Sequence, residues 1–215
     1  EAWETNLPKF AHLAYLPQPG LIRLRLDCHI SEKETDDAAR LFDEMKTLVG
    51  DNLLFDDDLP LEAILLDELK RRELTVATAE SCTGGNIAHR ITSIAGSSEA
   101  FVGGIVAYSN KVKISQLGVN ANTLTEYGAV SIPVVEQMAT GACRRLGANC
   151  AIATSGIAGP GGGTEEKPVG TVCIAVAING QVTSETRRFP GNRKRVIDRA
   201  TSTAIISLIK ELRKH

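Results

Sequence analysis

The sequence predicts an α/β protein: a three-layer α/β/α domain with a mixed sheet, preceded by a small α+β appendage. Three observations predict it. After residue 60, short apolar runs alternate with segments of helical period. Asn179-Gly180 separates two β-rich runs and suits a type I′ turn, so one pair of strands is antiparallel. A seam at 50–60, with Gly50-Asp51-Asn52 and then Asp56-Asp57-Asp58-Leu59-Pro60, carries the punctuation of a solvated linker. The expected division is an appendage over 1–55 and a main domain over 60–215.

In the appendage, residues 21–26 alternate apolar and cationic side chains from Ile22 onward, the period of a half-buried strand. Residues 33–49 read as an amphipathic helix with Ala38, Leu41, Phe42, Met45, Leu48 and Val49 on one side. A piece this short, with so small a core, is marginal alone. The Asp56–Asp58 triplet lacks the alternating ligands and glycine of a calcium loop, and reads as solvated.

The main domain opens with a helix over 60–73, Pro60 standing in its first turn. Residues 75–79 form a short strand, followed by a helix over 82–94 and a second strand over 102–108. Ser131 is placed to cap a helix that runs to Leu146, with Pro133 tolerated in its first turn. A buried strand over 151–154, hairpin strands over 172–178 and 182–189, and an amphipathic helix over 193–212 complete the order.

The chain has 43% hydrophobic and only 4% aromatic residues, so its core must rest on Ala, Val, Ile and Leu. A formal charge of −2 gives no whole-molecule field toward nucleic acid or membrane. Five cysteines (Cys28, Cys82, Cys143, Cys150, Cys173) make neither a C-x-x-C pair nor a zinc-spaced cluster with histidine. They read as free thiols in a reducing compartment, hence a cytoplasmic location. Neither a signal peptide nor a membrane-length apolar run is visible. The chain opens on Glu1, as a processed or truncated product would.

Chemistry concentrates in three segments. Thr78-Ala79-Glu80-Ser81-Cys82-Thr83-Gly84-Gly85 stands where a strand gives way to a helix, the sheet edge at which open α/β folds bind ligands. N–H groups at a helix start stabilise a developing oxyanion or a phosphate, and two glycines let a ligand approach the backbone. Ser81 is the candidate nucleophile, against the simpler reading that it only caps the helix. Cys82 competes, because a helix start activates a thiol. No histidine has a convincing partner position: His12, His29 and His215 lie in the appendage or the tail, and His89 sits about two turns along the helix. A serine without histidine needs another base. Tyr108-Ser109-Asn110-Lys111-Val112-Lys113 should emerge at the same edge, and a desolvated lysine can accept the serine proton. The residue pattern does not choose between Lys111 and Lys113, and both also read as ordinary exposed lysines. The third segment, residues 154–164, is glycine-rich and follows a buried strand; its backbone could cradle a phosphate or a flat ring. It is neither a Walker A loop nor a dinucleotide fingerprint. Arg193-Lys194-Arg195 opens the last helix and could hold an anionic group or face water.

Taken together, these segments resemble the C-terminal domain of the CinA family (competence/damage-inducible protein A). The strings that carry the resemblance are TAESCTGG at 78–85, IAGSSEAFVGGIVAYSNKVK at 94–113, YGAVS at 127–131, SGIAGPGGGTEEKPVGTV at 155–172 and FPGNR at 189–193. The resemblance implies hydrolysis of the carboxamide of nicotinamide mononucleotide, giving nicotinate mononucleotide and ammonia without metal or cofactor. By matched position it makes Ser81 the nucleophile, Lys113 the base and Tyr108 its helper. Cys82, Thr83, Gly84, Ser155, Gly156, Gly159, Gly162, Thr164 and Arg193 become the expected substrate-binding residues. The expected partners are a pyridine nucleotide and further copies of the chain, with no membrane. The first 50 residues resemble the KH-like linker module of longer CinA proteins. They lack the G-x-x-G loop with which such modules clamp nucleic acid, so no nucleic-acid partner is expected. The family's larger N-terminal domain, associated with pyrophosphatase activity, is not expected in this chain. The alternative from another class is a non-catalytic nucleotide-binding or dimerising module.

Overall fold

The structure, a computed structural model, describes residues 2–29, 35–56 and 58–214. The chain divides into two compact units, with the boundary between Asp58 and Leu59. In the first unit a short helix α1 (Ala2–Thr5) precedes an antiparallel hairpin of β1 (Ala11–Gln18) and β2 (Leu21–Cys28). Pro19 and Gly20, the latter at φ 85°, close its two-residue turn. Helix α2 (Thr35–Val49) buries Leu41 and Met45, and Trp3 donates its indole N–H to Glu44 at 2.9 Å. Strand β1 went unpredicted, since Pro17 breaks its pattern; as half of a two-stranded ribbon it leaves the proline on an edge. Residues 33 and 34 of the expected helix, and Asp57 of the acidic triplet, lie outside the described residues. No group of acidic, histidine or cysteine side chains suited to a metal occurs among the described residues.

The second unit is a mixed five-stranded sheet with helices on both faces. Its elements run α3 (Leu61–Arg71), β3 (Val76–Glu80), α4 (Asn86–Thr92), β4 (Phe101–Val106), α5 (Asn110–Leu117), α6 (Ala121–Tyr127), α7 (Ile132–Leu146), β5 (Cys150–Gly156), β6 (Thr171–Ile178), β7 (Gln181–Arg188) and α8 (Arg193–Leu212). The strand order is β4-β3-β5-β6-β7; β3 pairs in parallel with β4 and β5, and the last three strands are antiparallel. Asn179 at φ 48° and Gly180 at φ 88° supply the two left-handed residues of the predicted hairpin turn.

Residue size sorts the two faces of the sheet. Ala77 and Ala79 of β3, Ala151 and Ala153 of β5, and Cys173, Ala175 and Ala177 of β6 form one cluster with Val134, Val135 and Met138 of α7. Small strand residues let this long helix lie close to the sheet, which is how a core forms with so few aromatics. On the other face α8 covers β5 and β6, and α3 and α4 pack against it. Arg90 donates to Ser202 and pairs with Glu62, while Asn86 donates to Thr201 at 2.9 Å, so α4 is fastened to α8 by polar contacts. Ser131 occupies the N-cap of α7 as expected, with Pro133 in the first turn, but its hydroxyl donates to the Gly128 carbonyl at 2.8 Å and accepts no helix N–H. Among the described residues, no helix is long and apolar enough to cross a membrane.

Candidate active site

The three parallel strands β4, β3 and β5 end at one sheet edge, and each hands its chain to a segment singled out above. Main-chain bonds lock these exits together: Ser81 N–H donates to the Thr154 carbonyl at 2.9 Å and Ala107 N–H to the Glu80 carbonyl at 2.8 Å. Between them lies a cavity of about 200 Å³ lined by residues that include Ser81, Cys82, Tyr108, Lys113, Ser155, Gly156 and Arg193.

Lys113 is the centre of the site. Its side chain is 1% exposed, and Nζ lies 3.0 Å from Ser81 Oγ. The same nitrogen donates to the Ala107 carbonyl at 2.7 Å and to the Tyr108 carbonyl at 3.3 Å. In its neutral form, with two N–H groups held by these carbonyls, the amine would turn its lone pair to the Ser81 hydroxyl. Burial pushes the amine below the ordinary lysine value of 10.5, with Cys82 pulling the other way. Residues 110–117, to which the sequence pattern assigns no element, are the helix α5, whose start Ser109 caps by accepting from Val112 N–H. On that helix Lys113 turns inward, while Lys111 is exposed.

The start of α4 differs from expectation. The helix begins at Asn86, four residues after the predicted Cys82, and its first N–H groups are not free. The Glu80 carboxylate, 1% exposed, accepts from Gly85 and Ile87 at 3.0 Å each and from Ala88 at 2.8 Å. In the intervening turn, among the described residues, the N–H groups of Cys82 and Thr83 meet no oxygen acceptor, that of Cys82 lying against its own sulfur. Cys82 is not activated by this turn. Burial first, then the charge of Glu80, pushes its thiol up to about 12.

The expected substrate residues separate into two groups. Cys82, Ser155, Gly156 and Arg193 line the cavity, and Gly159 adjoins it by accepting from Arg193 Nη1 at 2.8 Å. Ser155 Oγ donates to the Ala129 carbonyl at 2.6 Å and so holds the 127–131 segment against the cavity. The others lie outside the lining. Thr83 is buried with its hydroxyl 2.7 Å from that of Thr154, Gly84 (φ 63°) shapes the turn, and Gly162 and Thr164 sit on an exposed loop. Tyr108 lines the cavity, but its hydroxyl lies 3.3 Å from Arg193 Nη2, and it is the backbone carbonyl that meets Lys113. His89 is exposed and takes no place in the lining. Asn110, Ala129, Val130 and Ala158 complete the wall; the residue pattern gave them no role, although the YGAVS string contains two of them.

The profile of the CinA C-terminal domain matches residues 58–212. A CinA-like protein of Flavobacterium psychrophilum is 41% identical over 100% of this chain and 52% of its own length. One from Chloroherpeton thalassium is 44% identical over 96% of this chain and 50% of its own. The chain therefore spans about half the length of the curated relatives it matches. Among solved structures, competence/damage inducible protein CihA from Agrobacterium tumefaciens is 43% identical with a TM-score of 0.67, covering 72% of this chain and 98% of that one. Competence damage-inducible protein A from Klebsiella pneumoniae is 37% identical with a TM-score of 0.69, covering 71% and 95%. By profile, by identity and by fold, the chain belongs to the CinA family.

Proposed function

We propose that the second unit is a metal-independent serine amidohydrolase acting on nicotinamide mononucleotide, with Ser81 as nucleophile and Lys113 as general base. The observation that carries the reading is the buried Lys113 amine 3.0 Å from Ser81 Oγ, its other donors taken by main-chain carbonyls. In this reading the neutral amine takes the hydroxyl proton as Ser81 attacks the carboxamide carbon. The N–H groups of Cys82 and Thr83, directly after the nucleophile, receive the oxyanion. The Lys113 ammonium then returns its proton to the departing nitrogen, so ammonia leaves and an ester remains on Ser81. Water, deprotonated by the same amine, hydrolyses the ester.

Two features favour this substrate class. Ala129, Val130 and Ala158 give the cavity a small-residue wall suited to a flat heteroaromatic ring. Arg193 stands at the same cavity with no carboxylate partner among the described residues, a cation suited to a phosphate. The reading is tested by ammonia release from nicotinamide mononucleotide. The native chain should turn over, and Ser81→Ala should fold normally and lose the activity. Near-normal turnover by Ser81→Ala would remove the serine from the mechanism.

A further inference from the structure

Glu80 is the carboxylate directly before the nucleophile, yet it does not line the cavity and takes no step in the proposed mechanism. It is 1% exposed at the end of β3, and its carboxylate gathers three main-chain N–H groups of the segment that follows Ser81. Those bonds span Gly85 to Ala88, so they fix where α4 begins and hence the path of the turn between Ser81 and Gly85. They also fill the helix start with a negative charge that belongs to the protein. That negative charge also bears on Cys82, the residue next to Ser81, where it opposes formation of a thiolate.

Resting on the amidase reading, we propose that Glu80 is a positioning residue that selects the nucleophile: its carboxylate holds the turn that presents the Ser81 hydroxyl, and its charge at the start of α4 keeps the adjacent Cys82 from attacking in its place. The groups that bear on Cys82 agree with this division. Burial raises its thiol most, Glu80 and then Cys173 of β6 raise it further, and its own backbone N–H and Lys113 of α5 oppose them. Burial persists when Glu80 is changed, so the charge accounts for only part of the suppression. A sulfur nucleophile at Cys82 would also lack the lysine contact that Ser81 has.

The test uses the full chain and two substitutions. Glu80→Gln keeps the size and removes the charge; Glu80→Asp keeps the charge but is too short to reach all three N–H groups. Two rates are read by mass spectrometry of the peptide that carries both residues: alkylation of Cys82 by iodoacetamide at fixed mildly alkaline pH, and labelling of Ser81 by a fluorophosphonate. Glu80→Gln should raise Cys82 alkylation about tenfold, because the neighbouring negative charge no longer opposes the thiolate. Both substitutions should slow Ser81 labelling about tenfold or more, as loss of the oriented geometry requires. Glu80→Asp should leave Cys82 as unreactive as in the native chain. Unchanged Cys82 alkylation in a folded Glu80→Gln overturns the proposal, as does an equal rise in Glu80→Asp, which would mean a merely loosened turn. Unchanged Ser81 labelling in Glu80→Asp overturns it even if Glu80→Gln fails to fold. Neither rate involves amide turnover, so a native chain that labels at Ser81 but releases no ammonia refutes the amidase reading alone.

Discussion

Replacing Lys113 by methionine keeps an unbranched side chain of similar length in a buried site and removes the amine. The structure sets the size of the consequences. Loss of a positioned general base slows turnover by about 10²- to 10⁴-fold. The Ala107 carbonyl, which accepts from the amine at 2.7 Å, is left without that donor, at a cost of about 1–3 kcal/mol. The pH dependence carries the sharper signature. The folded chain holds this amine with its pKa lowered by burial, whereas the unfolded chain holds it near the ordinary value of 10.5. Between those two values unfolding takes up a proton, so Lys113 makes stability rise with pH by about 1.4 kcal/mol per unit. Below the folded value both states are protonated and the contribution is flat. Urea melts of native and Lys113→Met chains across that window should show this increment in the native chain and its loss in the variant. Turnover by the native chain should rise through the same lowered pKa and then level off. Turnover by Lys113→Met within about tenfold of native would refute the assignment of the base. Parallel stability–pH curves would refute the neutral buried amine.

Other substitutions test the surrounding geometry. Tyr108→Phe removes a hydroxyl directed at Arg193 and leaves the carbonyl that meets Lys113, so turnover should stay within about tenfold of native; a larger loss would show that the hydroxyl shares in proton transfer. Arg193→Ala should raise KM for nicotinamide mononucleotide about 10- to 100-fold with little change in kcat, the worth of a charge-assisted phosphate contact; steady-state kinetics separate the two. Gly141 of α7 lies against α5, where an added Cβ would overlap the Leu117 carbonyl oxygen. Gly141→Ala should therefore destabilise the chain by about 1–3 kcal/mol in urea melts and displace the helix that carries Lys113.

How much of this could be read from the sequence depends on the kind of signal each residue gives. The last helix and the Asn179-Gly180 hairpin were legible because periodicity and turn chemistry are local. The sheet edge was legible because parallel strands separated by helices bring their ends together. Helix α5 was not, since its apolar residues do not mark one continuous face and a run with two lysines reads as solvated. For the same reason only the resemblance separated Lys113 from Lys111; burial of one and exposure of the other is a tertiary fact. Glu80 escaped notice because a carboxylate beside a serine carries no sign that it folds back onto the amides ahead of it. Val130 and Ala158 escaped for the opposite reason: apolar residues at a cavity look like core.

In the proposed reaction the Ser81 hydroxyl attacks and an ester forms on it. Rapid acid quench of the native chain with nicotinamide mononucleotide, followed by mass spectrometry of the peptide that holds Ser81 and Cys82, interrogates that step. An added nicotinate-mononucleotide acyl group is expected on Ser81, one that Ser81→Ala cannot form and Cys82→Ser still forms. An adduct on Cys82, or sustained ammonia release by Ser81→Ala, would contradict it.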